Sequence, residues 1–461
     1  MTKYGKKISS RKQPKDAMFY IRHMFRIFIG VLFIFSGYTK MVDPYGTALK
    51  MEEYFHSFGL DFMSPIAMAF AILLNCAEFL LGWALLLGIQ MQITAWGLML
   101  FMSFFTLLTF WLAYALDIVT LINRLFGTAF EIEVVSDCGC FGDFIKLDNY
   151  QTFYKNVIFM LCTSLIFAQR NKYKQQFWYY LSQWFPILLV LGFTFFMQFH
   201  CLRHEPWHDF RPWKIGNFIA GETYSKAPEV DHLFLYKHKI DGTILELTMD
   251  DLSEISADSL RLKDWEDNYA YFDRKDTTTK EGINARLADF SMTDWEQQQD
   301  IKSMVIPSPE YTFIVFIRDV TEVTPERFAS TKKLIEACDV EGMNYYVVTG
   351  SLQTEADTFN IIYNTNIQFY YSDITPLKTA IRNNPGVILL KDGYVMDKWA
   401  YRDIPLLEEI KADIPDYEQR LIKYKKKNPP IFPGEEKKET LKTNTNSRVP
   451  VSESREDTIR Q

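Results

Sequence analysis

Two cysteines separated by one glycine are the most chemically distinctive feature of the sequence. Cys138 and Cys140 flank Gly139 in a short polar stretch that ends at Asp143. Cysteines one residue apart can close only a small ring, and the glycine supplies the backbone freedom that such a ring needs. Because strained, exposed disulfides are the ones that exchange with other thiols, the pair predicts thiol–disulfide exchange with Cys138 and Cys140 as catalytic residues.

Other roles for this pair stay open. A static loop staple, half of a metal site and two reduced thiols are the alternatives. A metal site is disfavoured because the sequence offers no second ligand pair with matching spacing. The neighbouring carboxylates of Asp137 and Asp143 would tend to raise the pKa of a thiol, which argues against a strongly activated nucleophile.

A second group of candidate ligands follows the last apolar segment and comprises His200, Cys201, His204 and His208. Histidines four residues apart share one face of a helix, so His200 and His204 are weak candidates for metal binding. Snorkelling of polar side chains at a helix end is the alternative. Cys201 is expected at the same membrane face as the cysteine pair, where it could act as a resolving partner.

Five apolar segments could position these residues across a membrane. A helix of roughly 20 apolar residues spans ~30 Å of hydrocarbon, and the segments are residues 20–42, 65–88, 92–117, 151–169 and 178–200. The N-terminal arm, residues 1–19, is basic, whereas the loops after the first and third segments are acidic. Since basic loops stay in the cytoplasm, we expect the N-terminus inside, and the cysteine pair and everything after residue 200 outside.

Arg26 and Glu78 are ionisable residues inside predicted spans. Counting ~1.5 Å per residue from the helix ends places each of them about 20 Å deep. Because charges in lipid are costly unless paired or functional, we predict a buried Arg26–Glu78 ion pair, as a structural clasp rather than a proton or quinone site. The same count places Cys76 and Cys162 at one depth, where they could form a disulfide or pack as small hydrophobes.

Residues 201–461 have the composition of a soluble protein. Alternating apolar and polar runs in residues 201–310 predict an extracytoplasmic extension that contains β-strands. Residues 311–416 alternate strand and helix patterns and end in a hairpin and a helix, which predicts an α/β thioredoxin-type arrangement. Residues 417–461 are rich in Lys, Glu, Pro, Thr, Asn and Ser and predict a disordered tail.

Several motifs resemble those of a known membrane family. Residues 31–44 and 77–88 resemble the first two helices of the DoxX/MauE group, and residues 137–142 are similar to the cysteine signature of its MauE branch. The resemblance covers residues 20–170 and implies a four-helix membrane domain, to which this chain adds a fifth transmembrane helix at 178–200. The MauE branch (methylamine utilisation) is tied to maturation of methylamine dehydrogenase, which requires periplasmic disulfides. The broader group includes a subunit of a thiosulfate–quinone oxidoreductase. The resemblance implies a redox-linked role in the bacterial envelope, without implying methylamine use.

Residues 311–416 also resemble the second half of thioredoxin, in which a cis-proline precedes the final hairpin, a place that Pro385 would take. The Cys-x-x-Cys of that family should fall at Arg318–Thr324, where this chain has no cysteine. The domain therefore cannot exchange dithiols itself, and we expect a docking or substrate-holding role. Cys338 is expected to pack in its core.

The sequence as a whole predicts a multi-pass protein of the bacterial cytoplasmic (inner) membrane: an all-α helical bundle followed by a soluble α/β thioredoxin-like domain. The expected function is thiol–disulfide exchange or protein maturation, with an extracytoplasmic protein as substrate or assembly partner. A non-enzymatic membrane scaffold with a structural disulfide, and a quinone-linked oxidoreductase subunit, are the alternatives. The sequence identifies no definite cofactor, and a membrane quinone is a candidate acceptor. The modest net charge of −7 gives no footprint for nucleic-acid binding.

Overall fold

The computed structural model of the chain describes residues 17–130, 132–135, 137–140, 142, 144–145, 147–173, 180–224, 229–257, 259–280, 285–430 and 432. The chain forms two compact units. The first contains the described residues up to Thr223 together with Arg286–Pro429, and the second contains those of Tyr224–Ala285 together with Pro430 and Phe432. The basic arm before residue 17 and the tail beyond 432 lie outside the described residues.

Six helices form the N-terminal region: α1 (Ala17–Met41), α2 (Pro44–Ser57), α3 (Ala67–Leu87), α4 (Met91–Phe126), α5 (Asn149–Ala168) and α6 (Tyr180–Arg203). Each of the five segments predicted as spans is therefore largely helical over its described residues. Helix α2 was not predicted; it begins at Pro44, where a missing N–H costs nothing, and Asp43 caps it by accepting a hydrogen bond from the Gly46 N–H.

Among the residues that the structure describes, four helical stretches are long and apolar enough to cross a membrane: Ala17–Met41, Asp61–Leu87, Met91–Phe126 and Trp184–Arg203. The second of these includes a 3-10 turn, Asp61–Ile66, that precedes α3. Helix α5 is not among the four, because Gln151, Lys155 and Asn156 make its first half polar. The predicted span at residues 151–169 is thus a helix that packs in the bundle but is less apolar than the four candidate membrane spans.

Helices α1 and α3 approach each other closely at glycines. A Cβ atom at Gly37 would lie 2.9 Å from the Cα of Phe79, and one at Gly82 would lie 2.7 Å from the backbone nitrogen of Ile34. Small residues allow such backbone contact between membrane helices. These contacts fix the offset between α1 and α3 along their axes, and that offset determines which side chains of the two helices are adjacent.

The bundle core draws on four helices and contains Ile29, Phe33, Leu85, Leu98, Met102, Cys162 and Ile166. Cys162 packs there among apolar side chains. Cys76 instead accepts a hydrogen bond from Gln198 Nε2 on α6 at 3.2 Å. Both thiols are free, so the disulfide considered for this pair does not form.

After α6 comes a short helix, α7 (Ile219–Thr223), and then the second unit. Its strands β1 (Glu229–His238), β2 (Ile244–Leu247) and β3 (Tyr269–Lys280) form an antiparallel sheet in the order β2-β1-β3. Helices α8 (Met249–Ala257) and α9 (Ser259–Asn268) lie between β2 and β3 in sequence. The β1–β2 pairing is the hairpin indicated by the alternating runs of the sequence.

The remaining residues of the first unit form a mixed sheet with its helices, called here the sheet domain. Its elements are β4 (Thr293–Asp294), α10 (Lys302–Val305), β5 (Thr312–Phe316), α11 (Pro325–Glu341), β6 (Asn344–Thr349), α12 (Gln353–Tyr363), β7 (Phe369–Tyr371), α13 (Ile374–Ala380), β8 (Gly386–Lys391), β9 (Tyr394–Ala400), α14 (Leu407–Ala412) and α15 (Ile414–Lys427). The strand order is β4-β7-β6-β5-β8-β9. Strands β5, β6 and β7 are parallel, whereas β8 and β9 form an antiparallel hairpin beside β5. Every residue of β5 is buried, as expected for a central strand covered on both faces.

Two sequence boundaries differ in the structure. Residues 201–310, predicted as one extension, are divided between the two units, because the fully buried Trp213 packs its ring 5.7 Å from that of Phe316 in the sheet domain. The predicted disordered tail is wrong over residues 417–427, since α15 continues to Lys427 and buries Tyr417 and Leu421. Cys338 is fully buried in α11.

Candidate functional site

The sulfur atoms of Cys138 and Cys140 lie at disulfide distance, with their Cα atoms 5.4 Å apart. Gly139, between them, adopts a φ of +63°, in the left-handed region that favours glycine. Gly142, also at positive φ, donates its N–H to the Gly139 carbonyl at 3.1 Å and closes a turn. The glycines of the motif therefore allow the tight turn that brings the two sulfurs together.

Two helices hold the backbone of this loop in place. Ser36 Oγ on α1 donates a hydrogen bond to the carbonyl of Cys140 at 2.6 Å. Tyr54 on α2 donates its hydroxyl to the carbonyl of Cys138 at 3.0 Å. Burial raises the pKa of Tyr54, so its hydroxyl stays a donor at neutral pH. The position of the disulfide is thus set by side chains far away in sequence.

Lys50 neutralises the acidic side of the loop. Its Nζ atom lies 3.2 Å from the Asp137 carboxylate and 2.7 Å from that of Glu53. Burial alone would lower the pKa of Lys50, but its bonds to Glu53 and Asp137 outweigh burial and raise it. Since Asp137 is paired with a cation, it opposes thiolate formation less than the sequence alone suggests. Asp143 lies outside the described residues.

The two cysteines border different spaces. Cys138 lines a cavity of about 570 Å³, together with Lys50 and Asp137 on one side and Lys378 and Arg382 of the sheet domain on the other. Cys138 itself is 7% exposed. This larger cavity is the space that borders the Cys138 side of the disulfide.

Cys140 lines a separate pocket of about 40 Å³ inside the helical bundle. The charged residues Lys40, Glu78 and Lys155 line the same pocket. Lys40 Nζ lies 2.6 Å from Glu78 Oε2, and both side chains are less than a tenth exposed. A buried ion pair therefore lies next to the inner cysteine.

The predicted Arg26–Glu78 pair is wrong. Because Gly37 packs against Phe79, Glu78 lies level with the end of α1, where it meets Lys40. Arg26 is 14 residues earlier in α1, about 21 Å along the helix axis. Its guanidinium lies instead 5.8 Å from the ring of Tyr173. The depth count failed because it treated Lys40 as an interfacial residue, whereas Lys40 is buried.

The sheet domain contacts the residues that begin α2. Arg382 forms an ion pair with Asp43 at 2.6 Å, and Arg318 donates to the hydroxyl of Tyr45 at 3.0 Å. Burial would raise the pKa of Asp43, but the charge and hydrogen bonds of Arg382 outweigh it, and the pKa is lowered. Arg318 and Arg382 thus connect the sheet domain to the start of α2.

A second ionic cluster joins the end of α6 to the sheet domain. Arg211 lies 2.7 Å from each of Glu205 and Asp209, and Lys398 on β9 lies 2.9 Å from Asp209. Burial opposes ionisation of both acids, yet the nearby cations lower the pKa of Glu205 and of Asp209. Asn383, next to the cis peptide bond between Asn384 and Pro385, also donates to Glu205.

The histidines do not converge on a common point. The rings of His200 and His204 stack at 4.8 Å, but His204 Nδ1 bonds to Asp403 at 2.7 Å and His208 Nδ1 to Tyr38 at 2.6 Å. Among the residues that the structure describes, no three His, Cys, Asp or Glu side chains are grouped as metal ligands.

Cys201 is not brought to the cysteine pair. It packs in an apolar cluster with Met41, Phe79 and Met197, whereas Cys138 packs with Tyr54 and other residues of a different cluster. The side chains that sequence reasoning missed are Lys40, Lys50, Ser36, Tyr54 and Arg382. A lysine at the end of an apolar helix was the available signal for Lys40, but its partner depends on helix register.

Comparison with known protein families identifies a match to the helical N-terminal region of the chain. Residues 18–169 match the family model described as methylamine utilisation protein MauE. The match runs from α1 to α5 and includes the cysteine loop. No curated protein and no solved structure matched the chain. The helical N-terminal region of this chain, residues 18–169, is therefore similar to the MauE family.

Proposed function

We propose that this protein is a membrane thiol–disulfide exchange protein that oxidises thiols of a protein substrate through the Cys138–Cys140 disulfide. One observation carries the proposal: this pair lies at disulfide distance beside a cavity of about 570 Å³. The chain's other four cysteines, Cys76, Cys162, Cys201 and Cys338, are buried free thiols. Exchange requires a sulfur that a partner's thiolate can approach, and the pair is the best candidate.

The exchange can be written with its electrons balanced. A substrate thiolate attacks Cys138, the sulfur beside the larger cavity, and the bond to Cys140 breaks to leave a thiolate. A second substrate thiol then attacks the mixed disulfide, which releases oxidised substrate and leaves both cysteines reduced. Two electrons and two protons thus pass from the substrate dithiol to the cysteine pair, which becomes a dithiol. Lys40 and Lys155, which line the Cys140 pocket, would stabilise the leaving thiolate.

Another turnover requires a two-electron acceptor. A membrane quinone is the acceptor class that we propose, because it can take two electrons and two protons from the dithiol and become a hydroquinone. The location of Cys140 beside a pocket within the bundle supports this assignment. We further propose that the membrane is the bacterial cytoplasmic membrane, with the loop outside, since the basic arm and acidic loops favour that orientation.

We propose that the sheet domain is a thioredoxin-like module that has lost its thiols and holds the partner over the cavity. Its parallel strands β5 and β6, its final β8–β9 hairpin and cis-Pro385 before that hairpin support the proposal. Lys378 and Arg382 contribute its side of the cavity. Because Lys378 and Arg382 are cationic, a partner segment with acidic residues beside its cysteines would form favourable ionic contacts with this side of the cavity.

Trapping of mixed disulfides tests the function. In cells that express Cys140→Ser, the Cys138 thiolate should attack the disulfide of an oxidised substrate and accumulate as a covalent complex that reductant releases. The Cys138→Ser/Cys140→Ser variant, the matched control, should form none. Differential alkylation should also show the wild-type pair cycling between oxidised and reduced forms. Exchange is refuted if the pair stays oxidised in mild reductant, no complex forms and the substitutions affect stability alone.

A structural disulfide in a non-enzymatic scaffold is the second candidate. The observation that favours it is the hydrogen bonding of both cysteine carbonyls to Ser36 and Tyr54, since a staple would fix the loop against the helices in the same way. In that case reduction should lower the unfolding temperature, and the Cys→Ser variants should still support assembly of the partner complex.

A further inference from the structure

A pocket of about 540 Å³ lies where the last candidate span meets the sheet domain. Its lining residues are Arg203, His204, Thr324, Glu326, Arg327, Ser330, Tyr401 and Arg402. Arg203 is the last residue of α6, whereas the others come mainly from the start of α11 and the segment after β9. None of these residues belongs to the disulfide site.

The lining carries an excess of positive charge. Arg203, Arg327 and Arg402 contribute three guanidinium groups, and none of them forms an ion pair with another residue that the structure describes. Glu326 contributes the one carboxylate of the lining. Hydrogen bonds from its own backbone N–H and from Thr324 lower the pKa of Glu326, so it is ionised and already occupies the N-terminus of α11. Three guanidinium groups against one carboxylate give the lining a positive excess, and Asp403, which bonds to the lining residue His204 at 2.7 Å, places a second carboxylate beside it.

One aromatic ring orients two of the arginines. The guanidinium carbons of Arg327 and Arg402 lie 5.9 Å and 5.0 Å from the centre of the Tyr401 ring. Stacking on an aromatic face restricts a guanidinium while leaving its N–H groups free to bind. Paired guanidinium donors match phosphate oxygens, which they bind bidentately. Thr324 and Ser330 add hydroxyl groups to the same wall.

The location of the pocket indicates where its ligand comes from. Arg203 ends the candidate span Trp184–Arg203, so the pocket lies near the level of the lipid headgroups. Trp207, just beyond it, is 59% exposed, as is typical of aromatic residues at a membrane interface. We propose that this pocket binds a phosphate group, carried either by the headgroup of an anionic phospholipid or by a soluble phosphate compound.

The test uses the full-length protein in nanodiscs of phosphatidylcholine with and without phosphatidylglycerol. Native mass spectrometry measures retained phosphatidylglycerol, and thermal unfolding in lipid-free detergent with inorganic phosphate measures binding of the soluble anion. Arg327→Gln/Arg402→Gln should weaken binding at least roughly tenfold, since it removes two charge-assisted donors. Glu326→Gln should strengthen binding roughly two- to fivefold, because it removes the competing charge. Lys423→Gln/Lys426→Gln, which removes two exposed charges that do not line the pocket, is the matched control.

Each outcome decides the proposal. Loss of retained phosphatidylglycerol in the arginine variant, with no response to inorganic phosphate, identifies a lipid site. A phosphate response that the arginine variant loses, without selective lipid retention, identifies a soluble ligand. The proposal is overturned if the arginine variant behaves like the lysine control, or if Glu326→Gln weakens binding.

Discussion

The Lys40–Glu78 ion pair can be broken from either side, and the two substitutions leave different charges behind. Its atoms are 2.6 Å apart and the pair is buried, while Lys155 lines the same pocket. Lys40→Met leaves Glu78 facing Lys155, a pair of opposite charges. Glu78→Met leaves Lys40 and Lys155, two like charges with no carboxylate between them. We therefore expect Glu78→Met to be the more destabilising change.

The magnitudes follow from burial. Removing one partner of a buried ion pair costs about 3–5 kcal/mol, and we place Lys40→Met at the lower end and Glu78→Met at the upper end of that range. Adding Lys40→Met to Glu78→Met should recover about 1–3 kcal/mol, because it removes the repulsion between the two lysines. A second substitution that stabilises the first is a result that simple loss of packing does not produce.

The assay is reversible unfolding in mixed micelles, followed by circular dichroism for the two single variants and the double variant. Arg26→Met is the matched control, since Arg26 is also a buried cation of α1 but lies about 21 Å away along the helix. Its effect should add to that of Glu78→Met. Equal costs for Lys40→Met and Glu78→Met, no recovery in the double variant, or coupling between Arg26 and Glu78 would refute the reasoning.

Three further predictions concern the loop, the helix contact and pH. Ser36→Ala combined with Tyr54→Phe should destabilise the protein by about 1–3 kcal/mol and speed reduction of the disulfide, as measured by the rate of alkylation after reductant is added. Gly37→Leu should cost about 1–3 kcal/mol or more in unfolding free energy, because its Cβ would meet the Phe79 backbone at 2.9 Å; Leu→Ala changes on the lipid face are the control. The pKa of Asp43 is lowered on folding, so its contribution to stability is present above the unfolded pKa of about 3.9 and is lost as pH falls below it. At pH values below about 4, the unfolding temperature of the wild type should therefore decrease. Asp43→Asn should show a smaller decrease.

The sequence was sufficient for features that depend on local composition. Apolar length predicted four described helices that are long and apolar enough to cross a membrane, since hydrocarbon thickness sets a minimum number of residues. The predicted span at 151–169 is helical but does not meet that criterion. The spacing of Cys138 and Cys140 predicted their proximity, because cysteines separated by a single glycine are close in any backbone conformation. The order of strands and helices after residue 311 was also readable from local patterns, and the resemblance to the MauE family was confirmed over residues 18–169.

Features that depend on how elements meet required the tertiary structure. Glu78 pairs with Lys40 rather than Arg26 because close contact at Gly37 fixes the offset between α1 and α3, and sequence periodicity contains no information on that offset. Cys201 follows the last span, yet it packs in a cluster apart from that of the cysteine pair.

The groups that surround the disulfide also depend on how distant elements pack together. Asp137 and its neighbours predicted an acidic loop, but Lys50 from α2 neutralises it, and Arg382 comes from a domain more than 200 residues later in the chain to line the adjoining cavity. Residue types and short spacings thus determined which groups could react. The packing of elements that are distant in sequence decided which groups surround the two cysteines, because ion pairs and hydrogen bonds form between residues that are close in space whatever their separation along the chain.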